Sequence, residues 1–186
     1  MYLHYKLDYK PHVYQNTAYR HVIDNPFYAL FLDMGLGKTV ITLSALVDLF
    51  LKGEVEKVLI IAPLRVANNV WLQESKKWYH TSFLNISIVT GSAKQREKAL
   101  EKDAQIYVIN RENTKWLCEK YGYYLPFDML VIDELSSFKA HDSQRFKALK
   151  AARVSFKRIL GLTGTPMTNG YMDLWAQIFI LDGGIR

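Results

Sequence analysis

Two short stretches carry the residue types that phosphate chemistry needs. The first is FLDMGLGKT, Phe31 to Thr39, where an apolar run breaks into Gly-x-Gly-Lys-Thr and another apolar, helix-like run follows at once. Glycine twice in three residues removes side chains where backbone must approach a ligand closely or take positive φ. Lysine and threonine then supply one cation and one hydroxyl. The amides of Gly35 to Thr39 would point into the loop, helped by the positive end of the helix that follows, which makes Met34, Gly35, Leu36, Gly37, Lys38 and Thr39 the candidate cradle of a nucleotide triphosphate. Lys38 would reach the β/γ-phosphates and Thr39 would ligate Mg²⁺. One position departs from the full G-x-x-x-x-G-K-[ST] pattern, whose first glycine is Leu32 here. The plain alternative is a glycine-rich turn that only joins a strand to a helix.

The second stretch is MLVIDELSS, Met129 to Ser137. A magnesium-dependent hydrolase needs a carboxylate at the end of a buried strand to hold the ion's waters, and a base to orient the attacking water. Asp133 ends the apolar run and would hold Mg²⁺ through water, while Glu134 would polarise the nucleophile. Adjacent acids are as readily a solvated strand end or a helix start. The apolar lead-in and the companion loop weigh for catalysis.

Elements must bring these stretches together. Strands are expected at YALFLD (28–33), KVLIIA (57–62), NISIVT (85–90), QIYVIN (105–110), DMLVID (128–133) and RILGLT (158–163), several of them apolar nearly throughout. Continuous hydrophobicity means burial on both faces, as in a parallel sheet. Between them, TVITLSALVDLFLKG reads as a helix closed by Gly53, and RVANNVWLQESKKW as an amphipathic helix with Val66, Val70 and Trp78 on or near one face. SQRFKALKAARV starts from Ser143 as N-cap, and SAKQREKALEK and RENTKWLCEKYG are also helical in pattern. The βαβα order implies a doubly wound α/β domain with ligands at the carboxyl ends of its strands.

Composition sets wider limits. A chain of 186 residues with 49% hydrophobic content can bury one substantial core, so one domain is expected. Its formal charge of +6 leans weakly toward polyanionic partners. The single cysteine, Cys118, excludes an internal disulfide and a Cys-based zinc site; it reads as a half-buried helix residue in a reducing setting. The longest apolar runs, such as LWAQIFIL, fall far short of the roughly 18 residues that a bilayer span needs, so a soluble, cytoplasmic protein is expected.

Taken together, DMGLGKT, LIIAPLRVANNVWLQE, VIDELSSFK and LTGTPMTNGYMDLWAQIFIL resemble, in order and spacing, the first RecA-like lobe of Snf2-type ATPases of helicase superfamily 2, over about residues 12 to 182. The DELSSFK variant looks more like compact phage and bacterial members than eukaryotic remodellers, which usually carry a histidine where this chain has Ser136. The resemblance implies a RecA-like P-loop fold, ATP and Mg²⁺ as cofactors, duplex DNA as partner, and Gln15 as the adenine-reading glutamine. It implies that Thr163 and Thr165 couple the nucleotide to nucleic acid and to the partner lobe. The simpler reading of LTGTP is a strand-to-helix turn containing Gly164 and Pro166.

In related proteins the loops after the second, third and fourth strands touch the phosphate backbone. Here these are Pro63 to Arg65, TGS at 90–92 including Gly91, and Asn110 with Arg111. KQREK (94–98) and the basic residues Arg145, Lys147, Lys150 and Arg153 read as solvated helix faces. Tyr2, Tyr5, Tyr9 and Tyr14 suit either base stacking or packing of an N-terminal extension. The family hydrolyses ATP between two lobes, and this chain ends at LDGGIR, about where the first lobe ends, so residues 1–186 are expected to form one lobe with the second lying outside. A non-catalytic nucleotide or nucleic-acid binding module of the same fold is the alternative function.

Overall fold

In this computed structural model residues 6–138, 140–165 and 171–184 are described, 171–173 by their backbone alone. The strands are β1 (Phe27–Phe31), β2 (Val58–Ala62), β3 (Ile86–Val89), β4 (Ile106–Asn110), β5 (Met129–Asp133) and β6 (Arg158–Thr163). All neighbours pair in parallel, in the order β1-β6-β5-β2-β4-β3. The helices are α1 (Val13–Asp24), α2 (Lys38–Leu51), α3 (Leu64–Lys77), α4 (Ala93–Leu100), α5 (Thr114–Lys120), α6 (Gln144–Ala152) and α7 (Tyr171–Asp182).

The pleat explains the continuous apolar runs. Val58, Ile60 and Ala62 of β2 enter one hydrophobic layer while Leu59 and Ile61 enter the other, and β4 and β5 divide in the same way. The first layer is closed by Ala18 and Val22 of α1, by α2, and by Ala67 and Trp71 of α3. Residues of α4, α5, α6 and α7 close the second. The fold is therefore a doubly wound α/β sheet with helices on both faces. Because α2 is covered by the sheet and by its neighbours, it is buried nearly all round, and the hydroxyl of Thr42 is satisfied by donating to the Lys38 carbonyl at 2.8 Å. Gly53, at φ +68°, ends that helix, and Ser143 caps α6 by accepting from the Phe146 amide at 3.3 Å.

Three expectations change. First, β1 ends at Phe31, not at residue 33, because Leu32 gives its amide to Thr163 and the chain then turns into the glycine loop. Second, the buried face of α3 is Ala67, Trp71 and Ser75; Val66 packs at the edge of the core and also lines a cavity with the exposed Val70, and Trp78 lies past the helix end in extended conformation. Third, Cys118 is fully buried, and burial pushes its thiol up to about 12. Among the described residues no helix is long and apolar enough to cross a membrane.

Charged groups at the amino end of the sheet are built into the fold. Arg158, at the start of β6, donates to the carbonyls of Val22 (2.8 Å) and Ile23 (2.5 Å) in the last turn of α1 and pairs with Glu54 at 3.1 Å. Asp128 accepts from the amides of Glu56 (2.9 Å) and Lys57 (3.1 Å) and pairs with Lys157 at 2.9 Å. It is partly buried, which on its own would raise its carboxyl, but these partners hold it below the usual carboxylate range.

Candidate active site

The register sets three strand ends level. Phe31 pairs with Thr163, and Leu162 with Asp133, so the glycine loop after β1, the turn after β6 and the acids ending β5 are neighbours at one edge. They surround a cavity of about 370 Å³ lined by Met34, Gly35, Lys38, Thr39, Pro63, Asp133, Glu134, Ser136, Thr163 and Thr165, among others. Residues from four separate stretches of sequence thus face one space.

The loop itself is tightly specified. Gly35 and Gly37 sit at φ +82° and +83°, and a Cβ on Gly37 would lie 2.5 Å from Nε2 of Gln15. Glycine is required there both by conformation and by this close approach. Gly37 precedes the first turn of α2, which has no side-chain cap and contributes Lys38 and Thr39 to the cavity lining. The ammonium of Lys38 donates to the carbonyls of Leu32 (2.6 Å) and Asp33 (3.0 Å), closing the loop on itself. A phosphate would compete with those carbonyls, and a full negative charge is the stronger acceptor.

Gln15 lies on α1 and is 7% exposed. Its Oε1 accepts from the His12 amide at 2.9 Å and its Nε2 donates to the Leu36 carbonyl at 3.3 Å, where Tyr14 also donates. The structure thus brings Gln15 to the glycine loop, with its amide engaged by protein. It borders two further cavities, of about 550 and 390 Å³, beneath the strap of residues 8–10. In that region Tyr9 packs edge-on against Trp78 and stacks on His80, and Tyr14 stacks on His12. For these two tyrosines the packing reading holds; Tyr2 and Tyr5 lie outside the described residues, as does Pro166.

Asp133 is half-buried where β5 meets the cavity. Burial is the main force pushing its carboxyl above the ordinary range, Glu134 adds to it, and the Trp71 indole and Lys38 pull it back. Trp71, fully buried, donates its Nε1–H to Asp133 Oδ2 at 3.1 Å. This partner was not foreseen. The signal was a tryptophan in phase with Ala67 and Ser75 on a helix leaving β2, the strand beside β5. Glu134 sits in left-handed conformation at φ +61°, an uncommon state for a non-glycine residue that turns the chain sharply after the strand.

A hydroxyl at Thr39 and a carboxylate at Asp133 are hard oxygen donors, and the cavity they share leaves room for waters and phosphate oxygens. That donor set fits Mg²⁺, which keeps several waters and takes few protein ligands. Among the described residues no cluster of three or more His, Cys, Asp or Glu could hold a metal by itself. The threonine turn is packed onto the glycine loop. Thr163 Oγ1 accepts from the Thr165 amide at 3.1 Å, and a Cβ on Gly164 would lie 3.3 Å from the Leu32 carbonyl.

The residues expected to meet a nucleic-acid strand lie at the carboxyl ends of β2, β3 and β4, in line along the same edge. Arg65 is exposed in the first turn of α3. Gly91 takes φ +87°, and its carbonyl accepts from Arg96 at 2.9 Å. Asn110 is buried; its Nδ2 donates to Glu112 at 2.9 Å and its Oδ1 accepts from Asn113 at 2.6 Å. Arg111 pairs with Glu112 at 3.1 Å and with Glu134 at 3.5 Å. Of the cations read as solvated, Lys147 and Lys150 are exposed, Lys150 with its ammonium over Phe179, while the half-buried Arg96, Arg145 and Arg153 are laid on Trp116, Phe138 and Phe27. Arg153 also donates to the carbonyls of Ile180 and Leu181 near the end of α7.

Comparison with known proteins bears on the family and the fold. The family model described as the SNF2-related domain matches residues 27–184. Protein p41 of Acyrthosiphon pisum secondary endosymbiont phage 1 is 39% identical over 183 residues, which are 95% of this chain and 40% of that protein. An uncharacterized ATP-dependent helicase of Mycoplasma pneumoniae is 32% identical over 160 residues, 82% of this chain and 15% of that one. Among solved structures, the Sulfolobus solfataricus SWI2/SNF2 ATPase core in complex with dsDNA superposes with a TM-score of 0.81 at 27% identity, covering 97% of this chain and 37% of that one. The chain therefore spans two fifths or less of the length of these relatives.

Proposed function

This chain belongs to the SNF2-related domain family, and on that premise we propose that residues 1–186 act as the ATP-binding lobe of a DNA-dependent translocase, with a second RecA-like lobe lying outside them. The supporting observation is the single cavity in which Lys38, Thr39, Asp133, Glu134, Thr163 and Thr165 meet. In this reading Met34 to Thr39 hold the triphosphate by backbone amides and by the Lys38 ammonium, and Gln15 meets the purine edge. Thr39 and Asp133 would hold Mg²⁺, which when bound offsets the charge developing on the phosphoryl oxygens. Glu134 accepts a proton from the water whose oxygen bonds to the γ-phosphorus as the bond to the β-phosphate oxygen breaks. Thr163 and Thr165, packed on the loop through Gly164, pass the state of that site to the strand side. There Arg65, Gly91, Asn110 and Arg111 would follow the backbone of duplex DNA without reading bases. We place the protein in the cytoplasm of a bacterial or phage-infected cell.

An arginine supplied in trans is worth about 10³ to 10⁵ in rate in this chemistry, so the lobe alone should bind Mg-ATP and turn it over slowly. The internal bonds of Lys38 and Gln15 favour one rival, a non-catalytic module that keeps its loop closed. The two are separated by ATP hydrolysis in the protein carrying both lobes. Stimulation by duplex DNA that disappears in Glu134→Gln supports the translocase. Hydrolysis undiminished in that variant removes Glu134 as the base, and absence of any hydrolysis leaves the module.

A further inference from the structure

Arg111 and Glu134 carry different assignments above, one toward a nucleic-acid strand and one toward the attacking water, and they touch. Arg111 Nη1 lies 3.5 Å from Glu134 Oε2. β2 separates β4 from β5, so the arginine reaches across the carboxyl end of an intervening strand to make this contact. The other side of the guanidinium is held by Glu112 Oε1 at 3.1 Å, and Glu112 is itself fixed to the end of β4 by the Asn110 amide at 2.9 Å. The two carboxylates are similarly exposed, and what separates them is bonding: Glu112 has the shorter contact and a second donor in Asn110, whereas Glu134 has only the 3.5 Å contact, long for a charge-assisted bond, and is the partner more readily exchanged.

We propose that Arg111 is a positioning residue through which strand occupancy reaches Glu134. Without a strand, its guanidinium holds the Glu134 carboxylate; a backbone phosphate at the loops after β3 and β4 takes that donor and frees the carboxylate to orient water. The inference rests on the assignments in Proposed function. A phosphate is the better competitor because it offers more acceptor oxygens in the fork geometry that a guanidinium fits. Coupling is reciprocal: if strand and Glu134 compete for one guanidinium, neutralising Glu134 must tighten strand binding.

This can be read without hydrolysis. The nucleotide-free chain is titrated against a short fluorescein-labelled DNA duplex by anisotropy at low salt, where exposed ion pairs are least screened. Glu134→Gln should tighten binding about 2- to 5-fold, the range of an exposed pair. Arg111→Ala should weaken it, and adding Glu134→Gln to Arg111→Ala should change nothing further. Arg111→Lys, which keeps the charge, should restore part of the Glu134 effect. Equal tightening by Glu134→Gln in both backgrounds would show general repulsion and overturn the proposal. If millimolar inorganic phosphate weakens duplex binding more in wild type than in Arg111→Ala, a backbone phosphate sits on the Arg111 guanidinium as proposed; equal weakening in both places the strand elsewhere and overturns the proposal. A wild-type chain that binds no DNA removes the nucleic-acid side of the proposed function itself, whereas binding without the coupling removes only this inference.

Discussion

At the amino end of the sheet Arg158 and Asp128 are bound into the fold by backbone groups and partner charges, whereas at the carboxyl end Asp133, Glu134 and Thr39 face a cavity. The same six strands carry both ends, so the difference is not one of scaffold. It lies in what surrounds the polar groups: Arg158 and Asp128 are held among backbone groups and opposite charges, whereas Asp133 and Glu134 have one or two protein partners beside an open cavity. At the amino end the charges tie α1 to β6 and the start of β2 to β5, and their removal should cost stability. At the carboxyl end Asp133 is left in a state that burial disfavours, and Glu134 in a backbone conformation that costs energy, which is the arrangement expected where a ligand completes the bonding.

Substitutions at the two ends should therefore separate activity from stability. The largest effect expected is on rate: Glu134→Gln should lower ATP hydrolysis in the two-lobed protein about 10²- to 10⁴-fold, as loss of a general base does, with the thermal midpoint unmoved. Arg158→Met should do the reverse, lowering stability by about 2 kcal/mol in urea unfolding by releasing two carbonyls of α1, with Mg-ATP affinity unchanged. A fall in affinity there would break the contrast.

Trp71→Phe sits between the ends. It keeps most of the buried ring and removes the donor to Asp133, so about 1 kcal/mol of stability and a weaker Mg²⁺ dependence of nucleotide binding are expected; an unchanged Mg²⁺ titration would make the contact purely structural. The smallest effect concerns acid. Asp128 has a carboxyl held below its ordinary range, so its contribution is present above that range and is lost as pH falls through the lowered value. Stability of the wild type should fall on acidification by about 1 kcal/mol more than that of Asp128→Asn, measured by unfolding across the acid limb. Parallel curves would contradict it.

Much of this was legible in the sequence, for identifiable reasons. Strands buried on both faces must be apolar throughout, so all six were read to within about two residues at each end. The glycine loop and the acid pair were found because their spacing is local. What escaped depended on distant partners. The buried face of α3 is marked by an alanine and a serine around Trp71, so the exposed Val70 looked like part of the core stripe. α1 buries only Gln15, Ala18 and Val22, too sparse a pattern to stand out, and in α7 the run LWAQIFIL lacks a clear period. Arg96 looked fully solvated because the ring it covers, Trp116, is remote in sequence. That Asn110 has its amide engaged by Glu112 and Asn113 likewise follows only from the folded loop.

The central claim is that the carboxyl edge is a nucleotide site, and the direct test is calorimetric titration of Mg-ATP into this 186-residue chain beside Lys38→Ala. The account predicts saturable binding by the wild type, weakened about 10- to 100-fold in the variant, the value of a charge-assisted bond to phosphate. No binding by the wild type, or equal binding by both, would contradict it.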